Sequence, residues 1–156
     1  MALTKADKVC PMVVRRRGGA WQVLAFRHPS AGIQLVKGGL NPGEAAHEAA
    51  IRELYEESGI ALTARPRDIG AYRIGVPGEV WRIFVAEGRD MPEAWAWQTL
   101  DDHGHTFRFF WQNVHVAPGP GWRKTYLEAL YRLRDWIEYK SGTTPIQLPP
   151  ASPPAL

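Results

Sequence analysis

Residues 37 to 60 read KGGLNPGEAAHEAAIRELYEESGI, and the stretch sets out a glycine pair, a turn, a helix and a stop in that order. Asn41 as N-cap, Pro42 at the first helical position and Glu44 at the third have the layout of a capping box. Gly59 supplies the left-handed residue on which helices commonly end. The spacing predicts a helix over 44–58. Within it Glu53, Glu56 and Glu57 fall inside about one turn and a sector of about 100°, while Ile51 and Leu54 point away from them toward a core. Like charges at this spacing repel by a few tenths of a kcal/mol each, and by more where loops cover the face. A solvated face is the ordinary explanation, because glutamate forms helices well. The sharper one is a divalent cation, since hard oxygen ligands suit Mg²⁺ or Mn²⁺.

The flanking residues decide between the two. The stretch fits G-x5-E-x7-R-E-U-x-E-E-x-G-U, with U aliphatic, through Gly38, Glu44, Arg52, Glu53, Leu54, Glu56, Glu57, Gly59 and Ile60. At residue frequencies of about 5–7% per position, a chance match in a chain of this length is on the order of one in a million. In this signature the chain resembles the Nudix hydrolases. The resemblance implies an α/β (α+β) domain, a Nudix-type α/β/α sandwich with a mixed central sheet. It also implies metal-dependent hydrolysis of a nucleoside diphosphate linked to another moiety, by attack of water on phosphorus. Carried over position by position, Glu53, Glu56 and Glu57 would ligate Mg²⁺ or Mn²⁺ with help from the backbone at Gly38. Glu44 and Arg52 would form a supporting ion pair, with Arg52 orienting the carboxylates. Gly38 and Gly39 let the backbone bend sharply or approach the metal closely.

The surrounding chain agrees with one such domain. It has 156 residues, 45% hydrophobic and 22% charged, enough for a single core. A domain over 1–141 is expected, followed by a proline-rich tail, 142–156, that reads as disordered. The apparent lack of a membrane span or signal peptide points to a cytoplasmic protein. A net charge of +3 favours anionic ligands only mildly. Cys10, the single cysteine, reads as a core residue. The basic run Arg15, Arg16 and Arg17 reads as a solvated strand end.

KVCPMVVRRR and AWQVLAFRH form an expected hairpin around Gly18-Gly19, followed by the short run IQLVKG. DIGAYRIGV and EVWRIFVAEG form a second strand pair turning at Pro77-Gly78, and TFRFFWQNVHV a later strand. Residues 89–104 read as loop. Leu127, Leu130, Leu133 and Ile137 recur with Tyr126 at helical spacing and predict an amphipathic closing helix from Trp122 to Tyr139.

Outside the motif, candidates for binding substrate phosphate are Lys37, Arg27, Arg73 and Arg82, with Arg108 behind them; Lys37 leads because it adjoins Gly38. Candidates for a general base are Glu53 and Glu56 in the helix, and Glu79, Glu93, Asp102, His103 and His105 elsewhere. Trp21, Trp81 and Trp111 read as core, whereas Trp95 and Trp97, on the expected loop, are candidates to stack on a base. Marks of substrate are weak. Pro77 lies 17 residues beyond Ile60, one further than the proline of ADP-ribose hydrolases, and QLVKGG carries Val36 where the polyphosphate branch has proline. Nucleoside di- or triphosphates are the central expectation. Dinucleoside polyphosphates, ADP-ribose, an RNA 5′ end and a non-catalytic nucleotide-binding role are the alternatives, and a homodimer is compatible with the exposed aromatics.

Overall fold

The computed structural model describes residues 5–100 and 104–141. The expected tail, 142–156, and the candidate bases Asp102 and His103 lie outside the described residues. Ten elements follow one another: β1 (Lys8–Arg17), β2 (Ala20–His28), β3 (Gly32–Gln34), β4 (Gly38–Gly39), α1 (Ala46–Ser58), β5 (Arg67–Ile74), β6 (Glu79–Glu87), β7 (Trp95–Gln98), β8 (Thr106–Asn113) and α2 (Lys124–Ser141).

The strands form one mixed sheet in the order β5-β6-β1-β2-β8-β7, with β3 added to β2 and β4 to β1. Only β1 and β6 run parallel, from Lys8 opposite Trp81 to Val14 opposite Glu87; the other pairs are antiparallel. Period-two alternation assigns the two faces. Cys10, Met12, Val14, Trp81, Ile83 and Val85 face α2 and pack with its Tyr126, Ala129, Leu130, Leu133 and Ile137. Val9, Val13, Phe84, Ala86, Leu24 and Phe26 face the other way, where α1 places Ala49, Ala50 and Leu54. The sheet is thus covered on both sides, as an α/β/α sandwich requires. Among the described residues, no helix is long and apolar enough to cross a membrane.

The β1–β2 hairpin turns at Gly18 and Gly19, both at positive φ, which is the two-residue turn that suits twisted strands. Three expectations are corrected. Residues 95–98, expected as loop, are a strand paired from Trp95 opposite Phe109 to Gln98 opposite Thr106. Four residues carry too little alternation to stand out from loop composition, and pairing with β8 supplies what propensity does not. Helix α1 begins at Ala46 rather than at Glu44, because Gly43 sits at φ 76° and breaks the helical path. Residues 41–44 form a separate turn instead, closed by Glu44 N donating to Asn41 O at 3.0 Å. The box-like contact survives, with Asn41 N donating to Glu44 Oε1 at 2.9 Å, while Glu48 Oε1 accepts from Ala45 N to cap the helix itself. Finally, Arg15 is not solvated: it is 6% exposed, bonded to Gln22 and Glu93, and lies 4.2 Å from the centre of the Trp111 ring. Arg16 and Arg17 are exposed as expected.

Candidate active site

The glycine pair and the carboxylate face of α1 meet because β4 pairs with β1 while α1 lies across the same strand. Val9 stands opposite Gly38 and Lys8 opposite Gly39. A Cβ on Gly38 would sit 1.9–2.3 Å from the carboxylate atoms of Glu53, so only glycine lets that carboxylate rest on the strand backbone. Glu53 is 7% exposed, an uncommon place for a carboxylate without strong partners.

Arg52 is one of those partners, and its five N–H donors are all engaged. Nε donates to Glu44 Oε2 at 2.8 Å and Nη2 to Glu44 Oε1 at 2.9 Å, a two-pronged pair. Nη2 also donates to the Gly39 carbonyl at 2.8 Å. Nη1 donates to Glu53 Oε1 at 2.8 Å and lies 3.3 Å from Glu56 Oε1. One guanidinium therefore joins the turn at Glu44, the strand at Gly39 and two carboxylates of the helix. It holds the Glu44 carboxyl below the usual carboxylate range, and these carboxylates push its own ionisation further up. Lysine has neither the number of donors nor the planar fork for this task.

The three carboxylates of α1 are hard oxygen donors of the kind Mg²⁺ and Mn²⁺ take, and Gly38 leaves the room that a side chain would fill. Among the described residues, no three ligating side chains converge to enclose an ion as they stand. Arg52 Nη1 accounts for this in part by drawing Glu53 and Glu56 toward itself. The donor set and the glycine cradle fit a divalent ion; the arrangement observed is the one held by Arg52.

The C-terminal end of α1 is secured differently. Gly59 at φ 80° donates to Tyr55 O at 2.9 Å, as a helix-ending glycine does. Trp97 Nε1 donates to Glu56 O and Trp95 Nε1 to Ser58 O, each at 3.1 Å, so two indoles satisfy carbonyls that the helix leaves unpaired. With Met91, Pro92, Ser58, Gly59 and Ile60 they line an apolar cavity of about 260 Å³. Trp95 also stacks on Phe109.

The remaining candidates disperse. Lys37 adjoins Gly38, with its ammonium near the Trp81 and Tyr126 rings. Arg82 pairs with Asp68 at 2.8 Å and borders a polar cavity of about 640 Å³ with Asn41 and Glu44. Arg27 lies over Phe110, Arg73 is exposed against the β5–β6 turn at Gly78, and Arg108 is exposed opposite Arg27. Of the candidate bases, Glu79 accepts from Trp81 Nε1 at 2.9 Å, Glu93 is tied to Arg15 and Arg17, and His105 lies against His28. Cys10 is fully buried as expected, and burial pushes its thiol up to about 12. Sequence reasoning missed the Gly39 carbonyl, which has no side chain to announce it.

Comparison with known proteins gives the family and the fold. The model of the NUDIX domain matches residues 6–133. The chain belongs to the Nudix hydrolase family. Among solved structures, the fold is similar to a MutT/Nudix family protein from Enterococcus faecalis, with TM-score 0.63 and 12% identity over 93% of this chain and 66% of that one. It is also similar to the Nudix domain of Shewanella oneidensis NrtR complexed with ADP-ribose, with TM-score 0.60 and 12% identity over 85% and 88%. A C. elegans Ap4A hydrolase shares 19% identity over 86% and 98%, with TM-score 0.56. At these identities the likeness is one of Nudix fold. No curated protein matched the chain.

Proposed function

We propose that this chain hydrolyses a phosphoric anhydride bond in a nucleoside diphosphate linked to a further group, with Mg²⁺ or Mn²⁺. The observation that carries the reading is the use of every Arg52 donor to assemble Glu44, the Gly39 carbonyl, Glu53 and Glu56 beside the Gly38 backbone. A solvated glutamate face needs no such assembly.

In this reading Glu53, Glu56 and Glu57, with the backbone at Gly38, hold the metal. Such an ion, when bound, lowers the pKa of water and offsets the charge of the diphosphate. Arg52 aims two of the carboxylates, and Glu44 holds Arg52. Lys37 meets a phosphate oxygen of the substrate. Glu53 and Glu56, on the motif helix beside the Gly38 strand, remain the nearest candidates for general base.

ADP-ribose and Ap4A, bound or cleaved by proteins of similar fold, join nucleoside di- and triphosphates as first substrates to try. The purified chain would be incubated with this panel and with 5′-triphosphorylated RNA, in Mg²⁺ and in Mn²⁺, and product phosphates measured. Turnover of at least one compound that stops with EDTA is expected. No turnover of any of them, while Mn²⁺ binding is measurable, would overturn the enzyme reading.

A further inference from the structure

Lys37 precedes β4, and its ammonium lies within cation–π reach of two neighbouring rings. Its Nζ is 5.3 Å from the centre of Trp81 and 5.7 Å from that of Tyr126, and the rings are 5.5 Å apart. Both rings are immobilised. Trp81 is 1% exposed and its Nε1 donates to Glu79 Oε1 at 2.9 Å. Tyr126 is 6% exposed in the first turn of α2, where its N–H donates to Arg123 O and Arg123 N in turn donates to Ile33 O.

A lysine stem is flexible, and fixing it on a ligand ordinarily uses up binding energy. Two ring faces attract the ammonium and limit where it can go. We infer that Trp81 and Tyr126 are positioning residues that hold the side chain of Lys37, the residue before Gly38, ready to meet a diphosphate oxygen of the substrate. This rests on reading the chain as a hydrolase of diphosphate compounds. It gives α2, which carries no part of the motif, a share in the site. The ring of Tyr126 does this work; its hydroxyl is dispensable.

The test is a double-mutant cycle read by calorimetry, titrating methylenediphosphonate, a diphosphate that cannot be hydrolysed, into the full chain in excess Mg²⁺. Lys37→Ala is expected to weaken binding roughly tenfold and Tyr126→Leu several-fold, in keeping with a cation–π contact and the ordering it provides. Tyr126→Phe should stay within about twofold of the parent, and the Lys37→Ala/Tyr126→Leu pair should bind no more weakly than Lys37→Ala alone. Losses that add in the double variant, or a loss in Tyr126→Phe equal to that in Tyr126→Leu, would overturn the inference while leaving turnover of the substrate panel untouched. If Tyr126→Leu does not fold, Tyr126→Met takes its place in the cycle. Absence of methylenediphosphonate binding by the parent protein would overturn the phosphate role of Lys37 itself, and the inference with it.

Discussion

Helix α1 is held by two opposite chemistries. From its middle, Arg52 crosses to Glu44 and the Gly39 carbonyl through charge-assisted hydrogen bonds. At its end, Trp95 and Trp97 close over Gly59 and cap the last carbonyls with indole N–H groups. The guanidinium sets the direction of Glu53 and Glu56, which on the proposed reading is a matter of function. The indoles set where the helix stops and how it sits on the sheet, which is a matter of stability. Substitutions in the two sets should therefore separate activity from folding.

The largest effect belongs to the carboxylates. Glu57→Gln removes a charge and almost no volume, so the melting temperature should stay within a few degrees. Turnover should fall by more than the roughly 10–100-fold that outer partners of a metal command, because Glu57 is assigned to the metal itself. Steady-state kinetics beside a thermal melt would check this. Unchanged turnover would remove Glu57 from the metal site.

At the indole contacts, Gly59→Ala should invert the pattern. A Cβ there would lie 2.7 Å from Trp97 Cε3 and Cζ3, and alanine at φ 80° adds backbone strain. Together these should cost about 2–3 kcal/mol, visible as a lower midpoint in urea, while the folded fraction keeps most of its turnover. A midpoint equal to the parent's would mean that the indole moves aside freely and does not fix the helix end.

This contrast also separates what could be read in the sequence from what could not. Gly38, Glu44, Arg52 and the three glutamates lie within one short segment, where each chemical demand leaves its mark as a residue type at a fixed spacing. The ion pair of Glu44 with Arg52 was legible for that reason, and so were both hairpins, whose turns need glycine. The start of α1 was misplaced because Asn41-Pro42 and Glu44 look like a cap, and the sequence does not show that Gly43 takes positive φ. Trp95 and Trp97 reach α1 from some 40 residues downstream, on a strand too short to display its period. Contacts formed by distant segments leave no local pattern. The same holds for Arg15, whose partner Glu93 is far along the chain.

Arg52→Lys probes the guanidinium contacts without removing the charge. Lysine keeps one cation but cannot span Glu44, the Gly39 carbonyl, Glu53 and Glu56 together. Turnover should fall about 10–100-fold, with a smaller change in stability than in Gly59→Ala. Turnover within twofold of the parent would show that charge alone suffices and that the fork geometry is incidental.

The smallest expected effect is that of Glu44→Gln, and pH gives it a sign. Arg52 holds the Glu44 carboxyl below its ordinary value of 4.5 in the folded chain, whereas in the unfolded chain that partner is lost. A carboxyl depressed on folding contributes stability that is fully present above the ordinary value and fades as pH falls through the folded one. Glu44→Gln should thus be less stable than the parent at pH 7 by about 1 kcal/mol, or roughly 2–4 °C in melting temperature for a domain of this size. The gap should narrow steadily as pH falls below 4.5, since the parent loses an ionised partner that glutamine never had. Melts of both proteins in EDTA keep metal binding out of the comparison. A gap independent of pH would assign the contribution of Glu44 to its neutral hydrogen bonds, such as the one from Asn41 N, and not to the charge it sets against Arg52.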